Sequence, residues 1–251
     1  MATWNSHFRI AENILNKYPN LNRNSWCIAS IAPDCGLPND DWSAFTPPKE
    51  ISHFTLNDTS DFLATKTDKF ILNDIKFFTK YLMDSDIISH KEDTTFLLGY
   101  FIHLVTDNLW NYYIMKPLKE KYLSKLRKNP RFIWDVKTDW YDLDKIYITE
   151  NKDSLFWTDF LKAELNESIL GFFPIEGIQR QLEFIKKFYQ ISNEEYLRLL
   201  EKDFMYMKKD EMDNFIQNST DVILLVLKQI INKEFDFTNK ISVLDEILLW
   251  N

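Results

Sequence analysis

The stretch LLGYFIHLVTDNLW, residues 97–110, limits the possible folds of this chain more than any other segment. Read as a helix, it is apolar on nearly every side, with Tyr100, Phe101, Ile102, Leu104, Val105, Leu109 and Trp110 around its circumference. Such a helix has no face to give to water, so it belongs in the middle of a domain with other elements wrapped around it. The chain has 251 residues, 45% of them apolar, which is enough to bury a substantial core. Only four glycines are present, and strand-rich folds usually need more for their turns. The expected architecture is therefore all-α, one multi-helix domain spanning residues 1–251.

Amphipathic segments to surround that helix are present. Residues 3–18 read as a first helix, with His7, Ile10, Ala11 and Ile14 on one face. SWCIASIA (25–32) is a short apolar run stopped by Pro33. Residues 33–58 read as a long polar, proline-rich loop, and ordered loops of that length are often functional. Helices are expected at about 59–83 and 92–115, a less regular stretch at 130–175, and further helices at 176–190, 193–210 and 211–233. The basic run KPLKEKYLSKLRKNPR (116–131) reads as a solvated helix face.

Within the apolar helix, Gly99, His103, Asp107 and Asn111 form an i, i+4 row. An ionised Asp107 buried without a partner would be very unfavourable. A divalent cation solves the problem, since neutral imidazole and carboxylate both ligate zinc-like metals. A plain His–Asp hydrogen bond in the core solves it too. Gly99 suggests a gap beside the pair that a metal or substrate could use. Asp34 follows Pro33 in SIAPD, and His53 sits in SHF at the end of the same loop. Together His7, Asp34, His53, His103 and Asp107 supply three imidazoles and two carboxylates, enough for one complete metal site and part of a second with Asp107 bridging.

The net charge is −8, which argues against a broad nucleic-acid footprint. Two cysteines, Cys27 and Cys35, make no disulfide framework. No apolar run is long enough to span a membrane, and the first residues lack a basic-then-apolar leader, so a cytoplasmic protein is expected.

The order of SHFRIAENIL, SIAPD, SHF and GYFIHLVTDNLW resembles the zinc-dependent phospholipase C family, related in fold to the S1/P1 nucleases. The likeness covers about residues 1–115, and KTDWYDLD (137–144) also looks similar to short members. It implies an all-α fold and a metal cluster that hydrolyses phosphoesters. It implies that Asp34, His53, His103 and Asp107 bind one metal, and that His7 and Asp107 bind a neighbour. It gives Asp34 the catalytic role of orienting the attacking water. The substrate implied is a small phosphoester or phospholipid head group. Two departures stand out. In secreted members an N-terminal tryptophan gives its amine and carbonyl to metal, whereas Met1, Ala2 and Thr3 precede Trp4 here. The family's third-metal histidine is replaced by Tyr113, and no histidine follows His103. One or two divalent ions, zinc by resemblance, are therefore expected.

Other readings compete. An HD-type phosphohydrolase needs an adjacent His-Asp pair, which is absent. A ferritin-like site needs paired ExxH motifs, and EISH (50–53) stands alone. A non-catalytic helical protein that keeps a structural metal is the main alternative. His90 is expected on the surface, Asp139 and Asp142 as caps of a helix start, Cys35 as a loop thiol without a metal role, and Trp4, Trp26, Trp42, Trp110 and Tyr113 mostly as core.

Overall fold

The computed structural model describes residues 1–41, 44–56, 70–165, 167–245 and 247, and the chain is mostly helical. In order the helices are α1 (Trp4–Lys17), α2 (Arg23–Ala29), α3 (Lys49–Ser52), α4 (Asp74–Tyr81), α5 (Glu92–Trp110), α6 (Lys116–Lys128), α7 (Phe132–Glu150), α8 (Leu155–Thr158), α9 (Ile175–Phe188), α10 (Asn193–Leu200) and α11 (Lys209–Ile231). Short 3₁₀ turns lie at Ala32–Asp34 and Phe160–Lys162. Two-residue strands, β1 (Leu37–Pro38) and β2 (Phe45–Thr46), pair antiparallel within the 33–58 loop.

Local chemistry sets the helix starts. Thr3, Asn22, Asn73 and Ser192 each accept a hydrogen bond from the backbone N–H three residues on, as N-caps do. Helix α5 is buried at every residue from Leu98 to Trp110, as its all-round apolar surface requires. Four helices cover it with aromatic contacts or close backbone approach. Phe77 of α4 stacks on Tyr100 at 4.7 Å. Trp110 meets Trp140 of α7 at 5.0 Å and Phe215 of α11 at 4.9 Å, both edge-to-face. Helix α2 comes closest: a Cβ on Gly99 would stand 2.6 Å from the Ala29 Cβ and 3.3 Å from Trp26. The indole of Trp26 also donates to the Ala11 carbonyl at 2.9 Å, which ties α1 into the same contact.

The structure departs from the sequence reading in several places. Gly99 leaves no gap beside His103, because α2 occupies the space. The 92–115 helix leaves α geometry at Asn111–Met115, a π turn that runs straight into α6. The helix expected at 59–83 is seen only as α4; residues 59–69 of that expectation lie outside the described residues. The stretch called less regular contains α7, nineteen residues long. Asp139 and Asp142 sit inside α7 and cap nothing: Asp139 accepts from the Tyr206 N–H at 2.7 Å, and Lys202 reaches both carboxylates. Asp144 is buried and accepts from Thr3 and Tyr189. Partners this distant are invisible to local periodicity, so the acids look like polar interruptions. The 193–210 helix ends at Leu200, and residues 201–208 form the loop that Asp139 and Lys202 hold.

Candidate metal centre

Four separate elements bring the five sequence-nominated residues together. His7 lies one turn into α1 and Asp34 ends the 3₁₀ turn after α2. His53 is the C-cap of α3, and His103 and Asp107 lie one turn apart on α5. Gly177, at the start of α9, lets that helix approach the chain beside Asp34; a Cβ there would stand 2.5 Å from the Cys35 carbonyl oxygen.

Two of the three imidazoles are oriented from behind, whereas His7 Nδ1 is buried with no hydrogen-bond partner. His103 Nδ1 lies 2.8 Å from the Ser30 carbonyl, which fixes the proton there and leaves Nε2 as a lone-pair donor. His53 Nδ1 lies 2.9 Å from Ser52 Oγ, and its Nε2 is 3.2 Å from Asp34 Oδ1. The rings of His7 and His103 are stacked, with centroids 3.8 Å apart and planes within 4°. Each presents Nε2 to a different oxygen of Asp107, His7 to Oδ1 at 3.6 Å and His103 to Oδ2 at 3.5 Å. His53 Nε2 stands 3.9 Å from the same Oδ2. The Ala2 N–H donates to Asp107 Oδ1 at 2.7 Å.

Those nitrogen-to-oxygen separations are mostly too long for hydrogen bonds. His7 Nε2, His103 Nε2 and Asp107 Oδ2 are buried and have no hydrogen-bond partner. Ligands about 2.0–2.2 Å from one tetrahedral ion stand roughly 3.4 Å from each other, which is the scale of the distances here. His7, Asp34 and His103 place ligand atoms within 4.8 Å of one another, and so do His53, His103 and Asp107. Nitrogen and carboxylate donors of this kind suit a divalent ion, and the residues present fit one.

Electrostatics are consistent with tight mutual coupling. Burial, aided by the charge of His103, pushes the His7 ring down to about 4, so it is neutral. Burial lowers His53 as well. For His103 burial also opposes the charge, but Asp107 outweighs it and the pKa is raised. Burial alone would raise Asp34 and Asp107; the hydrogen bond from His53 holds Asp34 down, and the chain's amino group with His103 holds Asp107 well below the carboxylate range.

No family model, curated protein or solved structure gives a significant match to the chain. The site must therefore be read from its own geometry. Side-chain exposure is 9% at Asp34, against 2% at His7 and His53 and none at His103 and Asp107. Asp34 is thus the member that reaches the surface. Two surface concavities lie around Arg9 and Tyr147, and no cluster residue lines them. His90 is exposed. Cys35 is buried with its thiol donating to the Ile31 carbonyl. Trp26 and Trp110 are core, Trp4 and Tyr113 are half-buried, and Trp42 lies outside the described residues.

The sequence reading missed Lys137. It is half-buried on α7 and close enough to Lys49, Asp34 and Asp107 for their charges to act on it. The available signal was the helical spacing of Lys137, Tyr141 and Asp144, which puts all three on one stripe.

Proposed function

We propose that this protein is a metal-dependent hydrolase of phosphoester bonds, with the helical arrangement of the phospholipase C/P1 nuclease type. Asp34, His53, His103 and Asp107 would hold one divalent ion, and His7 with Asp107 a second. The observation that carries this reading is the set of unpartnered buried atoms, His7 Nε2, His103 Nε2 and Asp107 Oδ2, at ligand-to-ligand spacing. Zinc, as in the family the motifs resemble, fits the nitrogen and oxygen donors.

When bound, such an ion polarises the phosphoryl oxygen and lowers the pKa of water towards about 7. The chain's own residues do the rest. Asp34, at the surface end of the cluster, would orient the attacking water, and Ser52 Oγ holds the His53 ring through Nδ1 so that Nε2 faces the site. The Ser30 carbonyl keeps His103 in the tautomer with Nε2 free. The two oxygens of Asp107 face two imidazoles, which suits a bridging carboxylate. The substrate class is a small phosphoester, a phospholipid head group among them; the acidic net charge disfavours nucleic acid.

One observation favours a second reading, a structural metal in a non-catalytic helical protein. Four of the five residues are buried, and Gly99 serves helix contact and leaves no substrate space. Elemental analysis and hydrolysis of a chromogenic phosphodiester, with and without chelator, separate the two. His103→Ala should lose metal and hydrolysis, while His90→Ala keeps both. Equal metal per folded chain in the two variants refutes the site. Metal that is retained and needed for stability, with no hydrolysis of any phosphoester, favours the structural reading.

A further inference from the structure

Two lysines near the cluster lack an acidic partner. Lys137 is half-buried and Lys49 exposed, and among the described residues no carboxylate lies within ion-pair distance of either. A cation withdrawn from water without a counter-ion is unfavourable. The Lys137 ammonium lies 4.8 Å from the centre of the exposed Trp134 ring, which offsets only part of that cost.

The backbone brings both residues close to the cluster. On the shared stripe of α7, Asp144 accepts from Thr3 Oγ1 at 3.0 Å, and the Tyr141 ring lies 6.0 Å from that of Trp4. One turn earlier, Lys137 is carried past the start of α1, where the Ala2 N–H meets Asp107. Lys49 comes from another side. The His53 N–H donates to the Lys49 carbonyl at 2.8 Å, so Lys49 stands one helical turn before the ligand histidine. The two cations also act on each other, and Asp34 and Asp107 act on Lys137.

Charge accounting then indicates a ligand. One divalent ion already offsets the two carboxylates, Asp34 and Asp107, and a second ion or the buried amino group beside Asp107 only adds positive charge. The two lysines therefore add to a positive surplus of at least two around the cluster. A phosphodiester brings a single negative charge; a terminal phosphate brings about two at neutral pH. We propose that Lys137 and Lys49 clamp a phosphate dianion over the cluster, so that this site takes substrates bearing a terminal phosphate in preference to diesters. The proposal rests on the metal-dependent phosphoesterase reading and narrows its substrate class.

The test is equilibrium binding of two probes, inorganic phosphate and dimethyl phosphate, to the zinc-loaded protein by calorimetry. Zinc per chain is measured on the same samples. Wild type should bind phosphate more tightly than dimethyl phosphate. Lys137→Met should weaken phosphate binding by about tenfold or more at unchanged zinc content, and Lys137→Arg should keep most of it. Equal phosphate affinity in wild type and Lys137→Met overturns the clamp, as does equal affinity for the two probes. If Lys137→Met does not fold, Lys49→Met, at an exposed position, carries the same expectation. Absence of zinc from wild type is the separate failure of the metal reading. In that event, phosphate binding by the metal-free protein that Lys137→Met weakens still supports the clamp, and no such binding overturns it.

Discussion

Replacing Gly99 with alanine tests how the fold and the site are joined. The new Cβ would stand 2.6 Å from the Ala29 Cβ, where carbon atoms prefer about 3.5–4.0 Å. Helices α2 and α5 would have to part by about 1 Å. Overpacking of this kind costs about 1–3 kcal/mol, and the better helix propensity of alanine returns roughly 1 kcal/mol. The net expectation is a loss of up to about 2 kcal/mol in urea unfolding at constant m-value. The site should feel the same shift. Ser30 follows Ala29 directly, and its carbonyl holds His103 Nδ1 at 2.8 Å. Moving it by about 1 Å breaks that hydrogen bond, so metal retention in dialysis should fall although no ligand has changed. The reciprocal double variant Ala29→Gly/Gly99→Ala exchanges the two Cβ atoms and should recover most of both losses, giving a coupling of about 1 kcal/mol or more. If Gly99→Ala is as stable as wild type and the double variant merely adds the cost of a glycine in α2, the close contact and its hold on His103 are refuted.

The buried carboxylates give further expectations. Burial pushes Asp74 and Asp144 up to about 7 from 3.8 despite their hydrogen bonds. Between those values the folded state holds protons that the unfolded state has lost, so each group's contribution to stability should fall as pH rises from about 4 to 7 and level off above, by at most about 4 kcal/mol per group, against an opposite contribution from the buried neutral His7 and His53. Asp144→Asn should flatten that slope; the same pH dependence of urea unfolding in variant and wild type would refute the assignment. Lys202 pairs with Asp139 and Asp142 but is 26% exposed, so Lys202→Ala should cost only about 1 kcal/mol, with proteolysis appearing first in the 201–208 loop. Cleavage elsewhere would count against that loop's anchoring.

What could be read from the sequence was what short-range spacing encodes. The all-round apolar character of residues 97–110 marked α5 as the centre, and the His103–Asp107 spacing put both side chains on one line. His7, Asp34 and His53 came from the order of short motifs, and the structure brings all five together. What local spacing could not show depends on partners far along the chain. Asp139 and Asp144 look like breaks in a pattern until Lys202, Tyr206, Thr3 and Tyr189 arrive. Gly99 looks like a hole until α2 fills it. Lys137 looks like any surface lysine until α7 is docked along the start of α1.

The π turn at Asn111–Met115 closes with the Lys116 N–H on the Asn111 carbonyl, five residues back. Such a turn holds one residue more than its α equivalent, so the chain has in effect absorbed an insertion without interrupting the rod. Everything before it, His103 and Asp107 included, keeps its phase. The first turn after it is rotated by about 100°, the angle of one helical residue, and that rotation buries Leu118 while Lys116 stays exposed; a kink at Tyr122 resets the direction before Leu126. Deleting a single residue between 111 and 115 would spare the ligand row yet swing Leu118 out of the core. The length of this rod is therefore set from downstream, by the helix it must present, and not by the histidine and aspartate it carries.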